Sequence, residues 1–78
     1  MMLTVLSPEK MFLEQPVSKV SLPGSKGRFM VLKNHAPLIS SLEYGDIIYM
    51  SGDVENRIRV RNGFVEIRDN RICVCVEI

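Results

Sequence analysis

The chain contains little of what most catalytic or membrane-spanning proteins depend on. Its 78 residues include no tryptophan, one histidine and two cysteines. No stretch approaches the roughly 20 consecutive apolar residues of a membrane-spanning helix, and the N-terminus lacks the basic region and apolar run of a secretory signal. A formal net charge of +1 argues against a strong overall attraction to nucleic acid or anionic lipid.

The scarcity of histidine and cysteine limits the metal and catalytic sites that the chain could build. Cys73 and Cys75 are two positions apart, so on a strand they point the same way, with Cα atoms near the upper limit for a disulfide. We expect reduced thiols that pack as small apolar residues. His35 could form a zinc or Cys–His catalytic site only if the fold and a further ligand assisted. We therefore expect a loop or interface role for His35, no metal and no cofactor.

What the chain does contain is short runs of Val, Ile and Phe, separated by Pro, Gly, Asn and Asp. Helical periodicity is nearly absent. This pattern is typical of an all-β sandwich or barrel, and the length allows one domain, residues 1–78. Residues 23–27, which read Pro-Gly-Ser-Lys-Gly, predict a tight turn, and Asn34 is suited to a left-handed conformation.

Two dipeptides near the C-terminus predict the pairing of the last strands. Asn62-Gly63 is favoured in a two-residue type I′ hairpin, which would pair Val60 with Val65. Asp69-Asn70 would make a second such turn and pair Val65 with Val74. The first hairpin also predicts the pairs Arg59–Glu66 and Ile58–Ile67, and the second predicts Ile67–Ile72. Both registers place the same apolar residues on one face, namely Ile58, Val60, Val65, Ile67, Ile72, Val74 and Val76.

Two polar segments are candidate binding sites. Arg57, Arg59 and Arg61 form a basic stripe that, with aromatic neighbours such as Phe64, would suit an OB-like single-strand nucleic-acid module; a solvated, partly paired sheet face is the ordinary interpretation. Residues 24–27 lack the Gly-Lys-Ser/Thr before a helix that a phosphate-binding Walker loop requires. Loops of this kind on a rigid scaffold often contact partners. No group of residues forms a catalytic constellation, so an enzyme using His35 or a cysteine is a weaker alternative.

Three segments resemble the epsilon subunits of F-type ATP synthases. The first is Val-Leu-Ser-Pro-Glu at residues 5–9 followed by Met11-Phe12. The second, and most specific, combines Leu-Pro-Gly-Ser-Lys-Gly at 22–27 with His-Ala-Pro-Leu at 35–38. The third is Asn-Gly-Phe-Val-Glu-Ile at 62–67 with residues 70–76. Order and spacing match over residues 3–77.

The resemblance implies a two-sheet antiparallel β-sandwich that is a non-catalytic subunit of the synthase. Its partners would be the gamma subunit of the central stalk and the membrane-embedded ring of c subunits, through which it couples proton-driven rotation to ATP synthesis. It would lie on the cytoplasmic side of the bacterial inner membrane without inserting into lipid. The implied gamma-facing positions are Ser7, His35, Leu38 and Ser40, and the implied ring-facing loop is Gly24, Ser25, Lys26, Gly27 and Arg28.

Departures from the family pattern qualify these expectations. Arg28 stands where family members often carry an acidic residue, so we expect its partner to be an acid or a carbonyl oxygen. Asn34 stands where glycine is usual. Many epsilon subunits continue into a C-terminal helical hairpin that restrains ATP hydrolysis, whereas this sequence ends at Ile78. We therefore expect a short form that lacks the inhibitory arm and binds no ATP.

Overall fold

The chain forms nine β-strands. The computed structural model describes the backbone of all 78 residues and the side chains of residues 1–9 and 13–78. The strands are β1 (Met2–Ser7), β2 (Lys10–Pro16), β3 (Lys19–Gly24), β4 (Gly27–Val31), β5 (Leu38–Leu42), β6 (Gly45–Ser51), β7 (Val54–Val60), β8 (Asn62–Arg68) and β9 (Arg71–Glu77). The part of the chain described contains no helix able to cross a membrane.

The strands pair as one sheet that curls over to make two layers. The first layer has the order β2-β1-β9-β8-β5, and the second has the order β4-β3-β6-β7. The layers are continuous at one corner, where Gly24 at the end of β3 pairs with Leu42 at the end of β5. This curled sheet confirms the predicted all-β sandwich. One pair, β1 with β9, is parallel, and the others are antiparallel.

The core lies between the two layers and is entirely apolar among the described side chains. Alternation with a period of two sends every second residue of each strand inward. Val20 and Leu22 of β3 are fully buried, as are Leu3 and Val5 of β1. The other buried hydrophobic residues are Val17, Val31, Leu42, Ile47, Tyr49, Val60, Val65, Ile67, Ile72, Val74 and Val76.

The second predicted hairpin is confirmed. Val65 pairs with Val74 and Ile67 with Ile72. The turn residues Asp69 and Asn70 have φ values of 52° and 59°, which are the left-handed values that a type I′ turn requires at both positions.

The first predicted hairpin is wrong. Val60 pairs with Gly45 and Ile58 with Ile47, because β7 is the antiparallel neighbour of β6 and not of β8. The turn that sets this pairing is Gly52-Asp53, because Ser51 pairs with Val54 across it. Gly52 has φ 63°, and glycine at the first central position is typical of a type II′ turn. Asn62-Gly63 instead begins β8, where the chain passes from the second layer to the first. The predicted core face survives this correction, since Val60 is buried and Ile58 packs against the core.

Candidate partner-binding surfaces

The β3–β4 hairpin, residues 24–28, is a tight projection whose shape depends on two glycines. Gly24 pairs with Gly27 across the two-residue turn Ser25-Lys26. A Cβ on Gly24 would lie 2.7 Å from the Gly27 carbonyl oxygen and 2.8 Å from the Phe29 ring. Gly27 has φ +122°, a value that side-chain-bearing residues rarely adopt. The sequence therefore predicted this turn correctly.

The tip of this hairpin is fastened to the first layer. The backbone N–H of Ser25 donates to the Ser41 carbonyl at 3.1 Å, and the Ser41 hydroxyl donates to the Ser25 hydroxyl at 2.7 Å. The hairpin therefore presents Lys26 from a fixed base. The Lys26 side chain is exposed.

Arg28 is held within the chain. Its guanidinium donates to the Ser21 hydroxyl at 3.0 Å and to the Asp46 carbonyl oxygen at 2.6 Å. The carbonyl is one of the two partner types expected for Arg28, but it belongs to β6 of the same chain. Two hydrogen bonds from a charged donor fix the guanidinium against the second layer, so Lys26 is the freer cation of the hairpin.

Two of the four expected gamma-facing residues lie beside this hairpin. Leu38 and Ser40 share the inward-directed side of β5, opposite Ile67 and Val65. At this edge of the sandwich they remain partly exposed. With residues 24–29, Ile39 and Ser41 they line a groove of about 530 Å³. The structure therefore brings the expected ring-facing loop and part of the expected gamma-facing set to one groove.

The other two expected gamma-facing residues lie elsewhere. Ser7 ends β1, next to Leu6, which is three strands away from Ser41 along the row Leu6–Cys75–Phe64–Ser41. At about 4.8 Å per strand, this row spans about 14 Å. His35 precedes β5, at the opposite end of the strand from the hairpin. Its N–H donates to the Leu32 carbonyl at 3.1 Å.

His35 and the cysteines form no Cys–His pair among the hydrogen bonds of the described side chains. The His35 ring nitrogen Nδ1 lies 2.7 Å from the Ala36 carbonyl oxygen. Cys73 and Cys75 are free thiols on the outer face of β9. Burial raises the pKa of the Cys73 thiol, and the Cys75 thiol and Glu66 beside it raise it further. Within the described residues no group of three His, Cys, Asp or Glu side chains could hold a metal ion.

Two of the three arginines of the stripe, Arg57 and Arg59, are paired with acids, but not with the residue predicted. Arg59 lies opposite Asp46, not Glu66. Its guanidinium donates to the Asp46 carboxylate and, at 3.0 Å, to the Tyr44 hydroxyl, while Arg57 lies 3.6 Å from the same carboxylate. The hydrogen bond from Arg59 chiefly holds the pKa of Asp46 below its usual value. Phe64, expected beside the stripe, lies on the other layer.

One surface was missed by the sequence analysis. The outer face of the first layer carries Ile39, which is 71% exposed, and Phe64, which is 52% exposed, with Leu6 and Cys75 in the same row as Phe64. The sequence signal that could have predicted this surface was the alternation of inward and outward side chains along β8. Once Val65 and Ile67 occupy the core side of β8, Phe64 must point outward, and an exposed apolar patch on a small domain often marks a partner surface.

Comparison with known proteins decides the family. The model of the β-sandwich domain of the ATP synthase delta/epsilon chain matches residues 1–78. The chain belongs to this family. The expectation drawn from the three sequence segments is thereby confirmed.

Curated relatives agree with this assignment. The ATP synthase epsilon chain of Desulfitobacterium hafniense is 45% identical over 76 residues, which are 96% of this chain and 57% of that protein. The epsilon chain of Magnetococcus marinus is 41% identical over 75 residues, which are 96% of this chain and 55% of that protein. The chain therefore spans a little over half the length of these relatives.

Two solved structures share the fold. A chain in the central stalk and c ring of the Tetrahymena thermophila mitochondrial ATP synthase superposes with a TM-score of 0.83 at 15% identity, covering 99% of this chain and 63% of that chain. A chain in the Euglena gracilis mitochondrial ATP synthase, in an assembly of OSCP, F1 and c-ring, gives 0.88 at 19% identity, covering 95% and 48%. At these identities the likeness establishes the shared β-sandwich.

Proposed function

We propose that this domain is a non-catalytic part of the central stalk of a rotary ATP synthase, where it joins the gamma subunit to the c ring and so couples proton-driven rotation to ATP synthesis. The observation that carries the proposal is the family match over residues 1–78. The likeness to a chain from a central stalk and c ring supports the same place in the assembly. The domain would then lie at the cytoplasmic side of the bacterial inner membrane through its partners.

The groove beside β5 supports a gamma contact at Leu38 and Ser40. It combines an aliphatic side chain, Leu38, with hydroxyl groups that can accept or donate hydrogen bonds. A central apolar anchor surrounded by polar groups is the usual anatomy of a protein interface. Ser7 and His35 would lie at the margins of such an interface. A partner surface of about 800 Å² is about a sixth of the 4953 Å² accessible surface of the domain.

The β3–β4 hairpin supports a contact with the polar loops of the c ring. It is exposed at Ser25 and Lys26, yet its base is fixed by the two Ser25–Ser41 hydrogen bonds. A rigid projection binds a partner more tightly than a flexible loop with the same contacts, because it loses less conformational freedom on binding. The free charge of Lys26 favours an acidic group or carbonyl oxygens on the ring.

The nucleic-acid alternative loses its main support in the structure. A single-strand platform needs accessible cations beside stacked aromatics. Arg57 and Arg59 are engaged by Asp46, and Phe64 lies on the other layer. Tyr44 is the aromatic residue found beside Arg59. Its ring lies under the Arg59 guanidinium, and its hydroxyl already accepts a hydrogen bond from that group.

The proposal is tested by calorimetry with the cognate gamma subunit. We expect a stoichiometric complex with a dissociation constant in the micromolar range or tighter. Replacing Ser40 by glutamate should weaken binding by about 1–3 kcal/mol, because the carboxylate would lose water in the interface. Val54→Glu is the matched control, since Val54 is 60% exposed on β7 of the second layer. No complex, or equal losses in both variants, would overturn the proposal.

A further inference from the structure

Cys73 and Cys75 stand side by side on the outer face of the first layer. They alternate along β9 with Ile72, Val74 and Val76, which are buried in the core, so both thiols point away from it. Each is half-buried and free. Neighbouring strands flank them on both sides, since Cys73 lies opposite Thr4 and Glu66 and Cys75 lies opposite Leu6 and Phe64.

A disulfide between the two thiols is disfavoured by the strand itself. Residues two apart on an extended strand have Cα atoms about 6.7 Å apart, at the upper end of the range that disulfides accept. Closing the bridge would have to shorten β9. Because β9 is bonded to β1 on one edge and to β8 on the other, shortening would break ladder hydrogen bonds on both edges.

The same spacing suits an ion that binds two sulfurs in a line. If the zinc–thiolate distance of about 2.3 Å is taken as a guide, a linear S–metal–S unit needs sulfur atoms about 4.6 Å apart. Two thiols on one strand face reach this separation by rotating toward each other. Thiolates select soft ions such as Cu(I). A structural zinc ion needs four ligands, and the described residues offer no group of three His, Cys, Asp or Glu side chains for one.

A second observation concerns charge. Arg68 and Arg71 lie directly opposite each other on the same face, one row from Cys73 and two rows from Cys75. Like charges in this position destabilise a sheet. Asp69, which is 87% exposed, lies 3.9 Å from Arg68. An anion beside the two arginines would relieve their repulsion. A notch of about 360 Å³, lined by Glu66, Arg68, Asp69, Arg71 and Cys73, gives a path from solvent to Cys73.

We propose that Cys73 and Cys75 form a two-coordinate site for a soft monovalent ion of the Cu(I) class, with Arg68 and Arg71 balancing its charge. Binding joins one Cu(I) to both sulfurs and releases both thiol protons to solvent, with no change of oxidation state. The bis-thiolate complex and Glu66, which lies opposite Cys73, carry one negative charge each, and the two arginines offset both. This assignment revises the expectation that the cysteines serve only as packing residues, and it does not depend on the proposed place in the synthase.

The test is an anaerobic titration of the reduced chain with Cu(I) in competition with bicinchoninate. We expect one copper and two released protons per monomeric chain. Cys73→Ser and Cys75→Ser should each lower the affinity by more than about 100-fold, whereas Arg68→Gln with Arg71→Gln should lower it about 10-fold at unchanged stoichiometry. Thr4→Ser, in the row of Cys73 but without a sulfur, should change nothing.

A second measurement needs no variant. Cu(I) should protect both cysteines of the unaltered chain from alkylation by iodoacetamide, read by peptide mass spectrometry. Protection of one cysteine alone, a copper bridging two chains, or affinity retained in either serine variant would overturn the proposal. Strand content, checked by circular dichroism, separates loss of the site from loss of the fold.

Discussion

Glycine is required at position 63 by a contact with a strand that is distant in the sequence. In the sequence it follows Asn62 and suggests a turn. In the structure a Cβ at this position would lie 2.2 Å from the Cys75 carbonyl oxygen and 2.9 Å from the Val76 Cα. Glycine is needed because β9 passes close beside it. That requirement arises from a strand more than ten residues away, so local turn chemistry could not reveal it.

Replacing Gly63 by alanine should therefore destabilise the fold. The new methyl group meets backbone atoms of a central strand, which cannot move without disturbing both of its neighbours, and we expect a loss of about 3 kcal/mol in the free energy of unfolding. Urea denaturation measures it. Gly52→Asn is the control, because Gly52 has open space around its Cβ position and asparagine tolerates its left-handed φ. Equal losses at the two positions would contradict the close-approach argument.

Asp46 should make stability depend on pH. Its pKa in the folded chain is held below the unfolded value of about 3.9, first by the hydrogen bond from Arg59. The stabilisation is therefore fully present above the unfolded pKa and is lost as pH falls through the folded pKa. We expect Asp46→Asn to lower the urea midpoint at pH 7 and to differ less from the parent chain at pH 3. Glu55→Gln, at the exposed partner of Arg57, should show no such convergence.

At the scale of elements, the sequence was sufficient to predict which side of the last three strands faces the core, but it did not predict every strand partner. Alternation depends only on the period of the strand, so the inward side of β7 and β8 was correct whichever strand lay beside them. Pairing depends on which turn is tight. The chain has three candidate two-residue turns in this region, at residues 52–53, 62–63 and 69–70, and only the first and last join paired strands.

The β8–β9 turn also fastens a loop from elsewhere in the chain. The Asn34 N–H donates to the Asn70 Oδ1 at 2.6 Å, and the Asn70 amide donates to the Asn34 Oδ1 at 3.1 Å. Both residues have left-handed φ. The loop before β5, which carries His35, is therefore positioned by a hairpin more than thirty residues later. The sequence predicted the left-handed Asn34 but contained no sign of this contact.

Two substitutions at Asn70 should separate the contribution of its left-handed backbone from that of its amide contacts with Asn34. Asn70→Gly keeps the left-handed backbone and loses the amide contacts, at a cost of about 1–2 kcal/mol. Asn70→Ala loses the contacts and also strains the backbone, adding about 1 kcal/mol. Thermal unfolding should rank the parent chain above Asn70→Gly and Asn70→Gly above Asn70→Ala. If alanine and glycine were equally destabilising, the turn conformation would contribute nothing.

For the whole molecule, the family was readable from the sequence because its most specific motifs lie in turns. Residues 24–27 and Leu38, which belong to two of these motifs, line the groove beside β5, where the expected ring-facing loop meets Leu38 and Ser40. The spread of Ser7 and His35 away from this groove was not readable, because it depends on the strand order. In that order β1 and β5 lie at different sides of the first layer.

The two cations of the β3–β4 hairpin should differ in what they do for the assembled rotor. Arg28 makes two hydrogen bonds within the chain, so Arg28→Gln should lower the stability of the isolated domain by about 1–2 kcal/mol. Lys26 is exposed on the turn, and the described hydrogen bonds and ion pairs give it no partner within the chain. Lys26→Glu should therefore leave stability within about 0.5 kcal/mol of the parent.

In membrane vesicles containing the reassembled synthase, Lys26→Glu should have the larger effect on function and Arg28→Gln the smaller. If Lys26 faces acidic or carbonyl groups of the c ring, its reversal to glutamate places like charges or repelling dipoles in contact, which costs more as water is excluded. We expect Lys26→Glu to reduce ATP-driven proton pumping more than ATP hydrolysis, which is the signature of a rotor that slips. Arg28→Gln, at a temperature where the domain stays folded, should leave the ratio of pumping to hydrolysis unchanged. The opposite ranking would show that Arg28 leaves its intrachain partners and meets the ring itself.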